Sequence, residues 1–424
     1  AEFHRFKNSG QLYRGSKPVM WSPVEKTALA EAEVEYEDVV STQIDVAFEI
    51  TDAPNAPELI GAHAVIWTTT PWTIPVNQAL AYGKDVHYHV FQDENGRRFL
   101  LAFDLKEQFE QRSGLSLTTV PDSVDDDVSD LQKIADRQVS GSQLEGALAR
   151  HPMHHLGGFF AKPRPLLPGD FVTTDAGTGL VHMAPDHGED DFLLCKQYGI
   201  EPVFAVDGAG FYRADWAWLG GQGSVINKKF VSAEGPICAD LREAGALLAA
   251  SDDFKHSYPH SWRSKAKVIQ RATPQWFVSM EAAGLRQGAT QAIGNTRWIP
   301  AWGEARIARM IEGRPDWCIS RQRFWGVPMA VFVHRETQQL HPETPALLRR
   351  VADAVAQEGL EAWFGTTAAD WGVSDDYEKA TDTLDVWFDS GVVHQASFIA
   401  NGRTPPAQAD IYLEGSDQHR GWFQ

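Results

Sequence analysis

The densest group of titratable side chains lies in HMAPDHGEDD, residues 182–191. Its members are His182, Asp186, His187, Glu189, Asp190 and Asp191. One interpretation is a divalent metal held by imidazoles and carboxylates, which would activate a water molecule. A second is a metal-free site in which a carboxylate anchors a substrate ammonium and His182 shapes a pocket. A third gives the aspartates only the usual role of acidic residues at a helix N-terminus. The five-residue interval between the histidines fits neither a helical nor a strand pair of ligands, which disfavours the metal.

Three consecutive threonines, Thr68, Thr69 and Thr70, lie between two tryptophans and two prolines in WTTTPWTIP, residues 67–75. Branching at Cβ favours a strand, whereas each proline removes an amide donor and ends it. The segment AVIWTTT therefore predicts a short strand that stops and directs hydroxyl groups out of its end. Those hydroxyls either satisfy the local backbone or contact a polar ligand, and the stretch by itself favours the backbone.

Three further segments carry polar and aromatic residues. DWCISRQRFWG (316–326) places Arg321 and Arg323 among aromatic side chains, which suits phosphate and base contact or a helix cap beside a packed core. LDVWFDSG (384–391) predicts a buried strand followed by a turn, with Trp387 in the core or in the wall of an apolar pocket. RHPMHH (150–155) is a predicted loop to which we assign no chemistry.

The elements that must position these groups are strand-rich in the first part of the chain. Period-two alternation predicts two half-buried strands between residues 30 and 50, and DVHYHVFQDENGRRFLLAF predicts a hairpin that turns at Asn95-Gly96. GTGLVHMAPDHGEDDF (177–192) predicts a strand, a turn and a helix beginning near Asp190. Residues 45–250 therefore form a predicted mixed domain of about 200 residues, with a solvated acidic loop at 121–130.

The character of the chain changes after residue 255. Apolar residues at helical spacing predict helices over 303–313 and 344–359, the second opened by a Thr cap with Pro in its first turn. IYLEG (411–415) predicts a buried strand that runs into a polar loop and a helix start. Doubly wound sheets present ligand groups in this way at their carboxyl edge.

Composition limits the classes of protein that fit. The 424 residues predict two or three domains, and 43% apolar residues indicate a globular chain. Three scattered cysteines indicate a reduced, cytoplasmic compartment, and no apolar run is long enough to span a membrane. The net charge of −19 argues against indiscriminate binding to nucleic acid. The chain lacks an initiator Met, and we expect it to be a fragment of a longer protein.

Several of these segments occur together, in this order, in one family. WTTTPWTIPVNQALA, GTGLVHMAPDHGEDD, RATPQWF, DWCISRQRFWGVP, DVWFDSG and YLEGSDQHRGWF resemble the bacterial isoleucyl-tRNA synthetases, which are class I aminoacyl-tRNA synthetases. The resemblance spans nearly the whole chain, and the ordered set is far more specific than any one motif. It implies an α/β fold in which a strand-rich mixed α/β editing domain interrupts a Rossmann-type core.

The resemblance also implies a domain plan. Residues 1–44 would lead from the first catalytic half into the insertion, and 45–250 would be the editing domain. Residues 251–424 would hold the return strap, helical connections and the start of the second Rossmann half. The partners implied are tRNA-Ile, isoleucine and valine, with ATP and Mg²⁺ as substrate of the full enzyme, and we expect a monomer without membrane contact.

In this family, editing means the hydrolysis of tRNA that carries the wrong amino acid. It is needed because valine and isoleucine differ by one methylene, and an apolar pocket obtains only about 1–3 kcal/mol of binding free energy from that difference, a limit already known for these two amino acids. A second site then hydrolyses Val-tRNA and excludes isoleucine. By resemblance, Thr68, Thr69, Thr70 and Thr73 line its pocket and, with Asn77, contact the terminal adenosine and position water. Asp191 would hold the α-ammonium and His182 would block the extra methyl. An oriented water and a neighbouring ribose hydroxyl can cleave an ester without a metal.

The synthetic site is represented in part. By resemblance, Glu414, Asp417 and Gln418 contact the ribose and amino group of the aminoacyl-adenylate, and Trp387 and Trp422 wall the isoleucine pocket. No HIGH-like or KMSKS-like motif occurs in the sequence, and those motifs supply groups that stabilise the adenylation transition state. We therefore expect this fragment not to activate isoleucine.

Where many members of the family carry zinc-binding cysteine pairs, this chain has WSPVEK and YPHSWRS. Ser22, Glu25, Ser261 and Ser264 make a poor zinc site, and no structural zinc is expected. Two alternative functions stay open at this level. One is a free-standing metal-dependent esterase centred on His182, Asp186 and His187, and the other is a tRNA-binding module without turnover.

Overall fold

The structure is a computed structural model that describes residues 2–119, 138–403 and 409–424. Its backbone contacts divide the chain into two compact units. The first comprises the described residues up to Glu35 with Ser261–Lys265 and Thr273–Gln424. The second comprises Tyr36–His260 with Ala266–Ala272. The acidic segment 121–130, predicted to be a solvated loop, lies outside the described residues.

A large mixed sheet dominates the second unit. Its strands are β3 (Val34–Asp52), β4 (His63–Thr68), β5 (Ala79–Tyr82), β6 (His87–Gln92), β7 (Arg98–Ala102), β8 (Thr118–Thr119), β9 (Gln138–Ser140), β10 (Leu148–Arg150), β11 (Pro163–Pro168), β12 (Leu180–Met183) and β13 (Leu247–Ser261). The path of neighbouring strands is β12-β5-β11-β10-β3-β4-β7-β6-β8, while β13 pairs with β3 and β9 with β6. The helices of this unit within residues 36–119 and 138–260 are α2 (Lys106–Ser113), α3 (Glu189–Gln197) and α4 (Pro236–Glu243).

The two strands predicted between residues 30 and 50 are one strand in the structure. β3 runs for 19 residues, and a 3-10 turn at Glu31–Glu33 precedes it. Residues 35–41 of β3 are mostly exposed, whereas most of residues 44–50 are buried, and the last two residues are exposed again. The buried stretch includes Ile44–Glu49, which pairs with β4 inside the sheet. The alternation in the sequence therefore continues through one element.

The predicted hairpin is confirmed. β6 pairs antiparallel with β7 from Tyr88↔Ala102 to Gln92↔Arg98. The backbone N–H of Asp93 donates to the carbonyl of Arg97 at 3.0 Å, and Gly96 has a φ of 79°, which glycine adopts without a Cβ penalty.

The first unit holds smaller sheets and most of the helices. Its strands are β1 (Leu12–Ser22), β2 (Thr27–Ala28), β14 (Ile269–Val278), β15 (Trp317–Cys318), β16 (Ser320–Arg321), β17 (Phe332–His334), β18 (Tyr377–Lys379) and β19 (Thr383–Leu384). Its helices are α1 (Glu2–Asn8), α5 (Leu285–Gly294), α6 (Trp302–Glu312), α7 (Thr344–Glu358), α8 (Glu361–Phe364) and α9 (Val386–Ala400). The strand order in the largest sheet is β15-β14-β1-β2, and its apolar core includes Trp276, Ile319 and Trp363.

Three local predictions for this unit are wrong. The predicted strand at LDVWFDSG is the start of α9, whose N-cap is Asp385, because the Asp385 carboxylate accepts the backbone N–H of Trp387 at 3.2 Å. The N-cap of α7 is Glu343 and not Thr344, whose hydroxyl donates to the carbonyl of His341. Residues 411–415 form no strand and pair with no neighbour among the described residues, so Ile411 and Leu413 stay exposed at 75% and 86%.

Both helices and strands are abundant, so the chain is mixed α/β, as predicted. Within the described residues, no helix has the length and the apolar composition that a bilayer crossing requires.

Candidate functional site

The threonine segment lies where β4 ends. Thr68 pairs with Ile44 at the last position of the strand, and a 3-10 helix at Pro71–Val76 follows with Pro71 in its first turn. The Thr68 hydroxyl accepts the backbone N–H of Thr70 at 3.0 Å. The strand therefore stops two residues earlier than AVIWTTT predicts, and the hydroxyl of Thr68 serves the local backbone.

A hydrogen-bond chain joins this segment to His182. The Thr73 hydroxyl donates to the carbonyl of Thr70 at 2.8 Å, and Thr73 Oγ1 lies 3.0 Å from His182 Nε2. Because Thr73 gives its only proton to Thr70, it must accept from His182, which fixes the Nε2–H tautomer. His182 lies on β12, which pairs with β5, and this pairing brings it to a residue 109 positions earlier in the chain.

His182 is neutral at physiological pH. Burial, followed by the nearby charge of His187, lowers the pKa of His182 to about 4. Its Nδ1 is buried and has no hydrogen-bond partner among the described residues. A neutral imidazole with an unused acceptor nitrogen neither repels a substrate ammonium nor competes with it for a carboxylate.

Asp191 lies in the first turn of α3, next to the strand that carries His182. Its Oδ2 accepts the backbone N–H of Ala184 at 2.6 Å. Burial nevertheless raises the pKa of Asp191 to about 7, since that hydrogen bond only partly offsets the loss of hydration. Asp190, in contrast, is exposed. Because burial disfavours the ionised form of this carboxyl, the carboxylate is stabilised when a cation beside it compensates for the lost hydration.

Asn77 and His151 pack around the same 3-10 helix. Asn77 is fully buried, its amide donates to the carbonyl of Ala79 at 2.8 Å, and its Oδ1 has no partner among the described residues. His151 accepts the backbone N–H of Met153 at Nδ1, so its Nε2–H donates to the carbonyl of Ile74 at 2.9 Å. The sequence assigned no role to His151, and RHPMHH carries no signal that marks one of its histidines as a support for this helix.

A cleft opens beside the threonines in the second unit. Its lining includes Thr42, Thr69, Thr70, Lys228, Asp252 and Lys267. Thr68, Thr73, Asn77, His182 and Asp191 are not among its lining residues. The structure thus places Thr69 and Thr70 at the cleft and connects the buried His182 to them through Thr73.

The three residues of the metal-dependent alternative have other partners. Asp186 accepts the backbone N–H groups of Val203 and Phe204 at 2.9 and 2.7 Å. His187 Nδ1 lies 2.8 Å from the carbonyl of Gln270, and its ring meets Trp72 edge-on. No cluster of three or more His, Cys, Asp or Glu side chains suited to a metal occurs within the part of the chain that the structure describes. Asp186 therefore holds a loop together.

The residues expected to wall an isoleucine pocket meet in the first unit. Trp387 packs against Gly421, where an added Cβ would lie 2.7 Å from its ring. Trp422 donates from Nε1 to the carbonyl of Ser390 at 3.1 Å, and its ring stacks on Tyr412 with centroids 3.6 Å apart.

The expected adenylate contacts follow Tyr412 in the chain. Gln418 donates to Asp417 at 3.1 Å and accepts the backbone N–H of Trp422 at 3.1 Å. Glu414 and Asp417 are exposed. Glu414, Asp417, Gln418 and Trp422 therefore lie in one short segment of the chain, and Trp387 packs against that segment at Gly421.

WSPVEK and YPHSWRS, for which no structural zinc is expected from the sequence, are joined by a hydrogen bond. The Ser261 hydroxyl is fully buried and lies 2.9 Å from both carboxylate oxygens of Glu25, to which it donates. Two similar turns frame this pair: the backbone N–H of Lys26 donates to the carbonyl of Ser22, and that of Lys265 to Ser261. Ser261 and Glu25 thus form a hydrogen-bonded clasp, and hydroxyls with one carboxylate are a poor zinc donor set.

The arginines of DWCISRQRFWG are structural. Arg321 is fully buried and pairs with Glu33 at 3.2 Å and with Asp385 at 2.8 Å. Arg323 pairs with Glu33 at 2.7 Å. Of the two interpretations of this segment, contact with a phosphate is therefore wrong for Arg321, because Glu33 and Asp385 already compensate its buried charge.

Comparison with known proteins identifies the class to which this fold and these segments belong. Residues 1–424 match the family of class I tRNA synthetases (I, L, M and V), and the chain is a member of that family. The predicted fold class, a class I α/β core with a strand-rich α/β insertion, is confirmed by the family and by the mixed sheet.

Among individual proteins, the chain is similar to isoleucine–tRNA ligases. The protein from Zymomonas mobilis subsp. mobilis is 53% identical over 437 residues, which cover 100% of this chain and 44% of that protein. The protein from Gluconobacter oxydans is 45% identical over 100% of this chain and 44% of its own length. The protein from Pasteurella multocida is 44% identical over 99% of this chain and 43% of its own length. The chain thus spans less than half the length of these relatives.

Proposed function

We propose that this chain belongs to an isoleucine–tRNA ligase and that its second unit hydrolyses valine esterified to tRNA-Ile. The full protein would join isoleucine to that tRNA at the expense of ATP. The observation that carries the hydrolytic part is the hydrogen-bond chain from Thr70 through Thr73 to the neutral, buried His182. It connects a cleft edge rich in hydroxyls with a buried, neutral imidazole.

In this proposal, the terminal ribose of the tRNA lies at Thr69 and Thr70, whose hydroxyls and backbone orient it and a water molecule. The water attacks the ester carbonyl and the bond between the carbonyl carbon and the ribose oxygen breaks. The leaving ribose oxygen takes up the proton that the water loses, which gives free valine and a ribose hydroxyl. Most of the rate gain comes from holding water and ester in a reactive arrangement, which converts a bimolecular step into an effectively unimolecular one.

The aminoacyl group is selected by charge and by size. Asp191 pairs with the α-ammonium, and the substrate cation restores the carboxylate that burial otherwise disfavours. His182 is locked in one tautomer and one orientation by Thr73, so its ring is a firm wall against the extra methylene of isoleucine. A mobile side chain in the same place would yield to the larger ester.

The test is deacylation of Val-tRNA-Ile and of Ile-tRNA-Ile by the purified chain and by Asp191→Ala. We expect the wild-type chain to hydrolyse the valyl ester in preference and the variant to lose this activity. Asp190→Ala is the matched control, because Asp190 is the exposed neighbour on the same helical turn and should not contribute. Equal rates for wild type and Asp191→Ala would refute the proposed anchor.

A further inference from the structure

The cleft beside Thr69 and Thr70 holds two cationic side chains that the hydrolytic proposal does not use. Lys228 and Lys267 both line it. Lys228 is exposed, whereas Lys267 is half-buried with its ammonium 5.0 Å from the ring centroid of Tyr258. The aromatic face holds the Lys267 head group in position without neutralising it.

Neither of these two lysines forms an ion pair with an acidic side chain within residues 2–119, 138–403 and 409–424, where the lysine ion pairs involve Lys17, Lys106 and Lys265. Burial, followed by the charge of Lys228, lowers the pKa of Lys267. Two cationic side chains that line one cleft, in a chain with a net charge of −19, make this cleft a locally positive site that suits an anion.

The acidic residue of the cleft does not neutralise them. Asp252 Oδ1 accepts the hydroxyl of Thr42 at 2.6 Å and the backbone N–H of Ala233 at 3.1 Å. These bonds fix the carboxylate against the backbone, away from any ion-pair distance to a lysine. Its remaining oxygen suits a sugar hydroxyl better than a phosphate, which it would repel.

From this arrangement we infer that Lys228 and Lys267 bind the phosphodiester on the 5′ side of the terminal nucleotide of an RNA whose ribose lies at Thr69 and Thr70. The inference rests on the proposed function, because the threonines locate the ribose. It adds a contact to the sugar-phosphate backbone of the RNA, and this contact would determine how far the RNA end enters the cleft. Phosphate contacts of this kind position a nucleic acid without reading its sequence.

The test uses two non-hydrolysable ester mimics and calorimetric dissociation constants. Both mimics are 3′-amino-3′-deoxyadenosine whose 3′-amino group carries valine in amide linkage. One has a free 5′-hydroxyl, and the other has a 5′-phosphate capped as its methyl diester, so that they differ only in the diester. We expect wild type to bind the diester about tenfold more tightly, since a charge-assisted contact contributes on this order.

Three variants of the whole chain complete the design. The double variant Lys228→Met, Lys267→Met keeps the aliphatic stems, and we expect it to lose the tenfold preference while its affinity for the nucleoside mimic is unchanged. Lys229→Met is the matched control, because Lys229 is the exposed neighbour of Lys228 and does not line the cleft. Thr69→Val should weaken both mimics alike.

Each outcome decides a separate question. Equal binding of both mimics to wild type would overturn the phosphate site and leave the hydrolytic proposal standing. Binding of neither mimic would refute the ribose position at the threonines, and the phosphate site would fall with it. A preference that survives in the double variant would assign the contact to other residues and refute the role of these lysines.

Discussion

The substitution Asp191→Asn tests whether the carboxylate of Asp191 binds substrate or only supports the fold. The wild-type carboxyl has a pKa of about 7 in the folded chain against an ordinary value of 3.8. Well below pH 3.8 both states are protonated and the ionisation of this residue has no effect on stability. As the pH rises towards 7, the unfolded chain releases the proton and the folded chain retains it, so the free energy of unfolding falls.

The size of the effect follows from these two pKa values. The gap between 3.8 and about 7 corresponds to a destabilisation of about 4 kcal/mol once both states are ionised. At pH 5 only part of this penalty is present, so the cost of Asp191 is about 2–3 kcal/mol larger at pH 8 than at pH 5. Asn cannot ionise, yet its carbonyl can still accept the N–H of Ala184.

The assay is urea unfolding of wild type and Asp191→Asn at pH 5 and pH 8. We expect the free energy of unfolding of the variant, relative to wild type, to rise by about 2–3 kcal/mol between the two pH values. Deacylation by wild type should increase through about pH 7 after subtraction of the uncatalysed rate, and the variant should be inactive. Asp190→Asn, at the exposed neighbour on the same helical turn, serves as the control for the loss of a carboxylate at this helix end.

A stability difference between Asp191→Asn and wild type that is the same at both pH values would refute this reasoning. It would mean that the folded chain does not hold the carboxyl against ionisation. A variant that is more stable at pH 8 and still active would refute the carboxylate as the ammonium anchor, although the burial argument would stand.

Two further predictions concern hydrogen bonds. Thr73→Val keeps the shape of the side chain and leaves the Nε2–H of His182 without an acceptor. We therefore expect the free energy of unfolding, measured by urea titration, to fall by about 1–3 kcal/mol. An unchanged free energy of unfolding would show that this hydrogen bond is absent. Ser261→Ala removes the hydroxyl that bonds Glu25, with an expected loss of similar size, while a chelator should leave the Tm of the wild-type chain unchanged. A Tm that falls with chelator would contradict the metal-free clasp.

The features that followed from the sequence are those that neighbouring residues determine. The hairpin turns at Asn95-Gly96 because Gly96 accepts a positive φ at no steric cost. The strand before the threonines ends because Pro71 cannot donate to the next strand. Helices over 303–313 and 344–359 appear nearly where apolar spacing predicts them, as Trp302–Glu312 and Thr344–Glu358.

The predictions that failed depended on partners far away in the chain. An apolar run such as IYLEG is a strand only when a neighbouring strand supplies hydrogen bonds, and none does among the described residues. In LDVWFDSG the sequence contains an N-cap aspartate, but the tertiary ion pair with Arg321 is what holds Asp385 in that role. Residue types alone could not distinguish these outcomes.

The sequence by itself determined the family of this chain, its mixed α/β class and the residue types that its sites contain, because ordered motifs and local turn chemistry are carried by contiguous residues. Only the tertiary structure decided which groups meet and in what protonation state. Thr73 and His182 are 109 residues apart, and burial is the largest cause that moves the pKa of His182 down and that of Asp191 up. The physical reason is that hydration is lost only when the chain folds, and the charge of a side chain depends on the water that surrounds it.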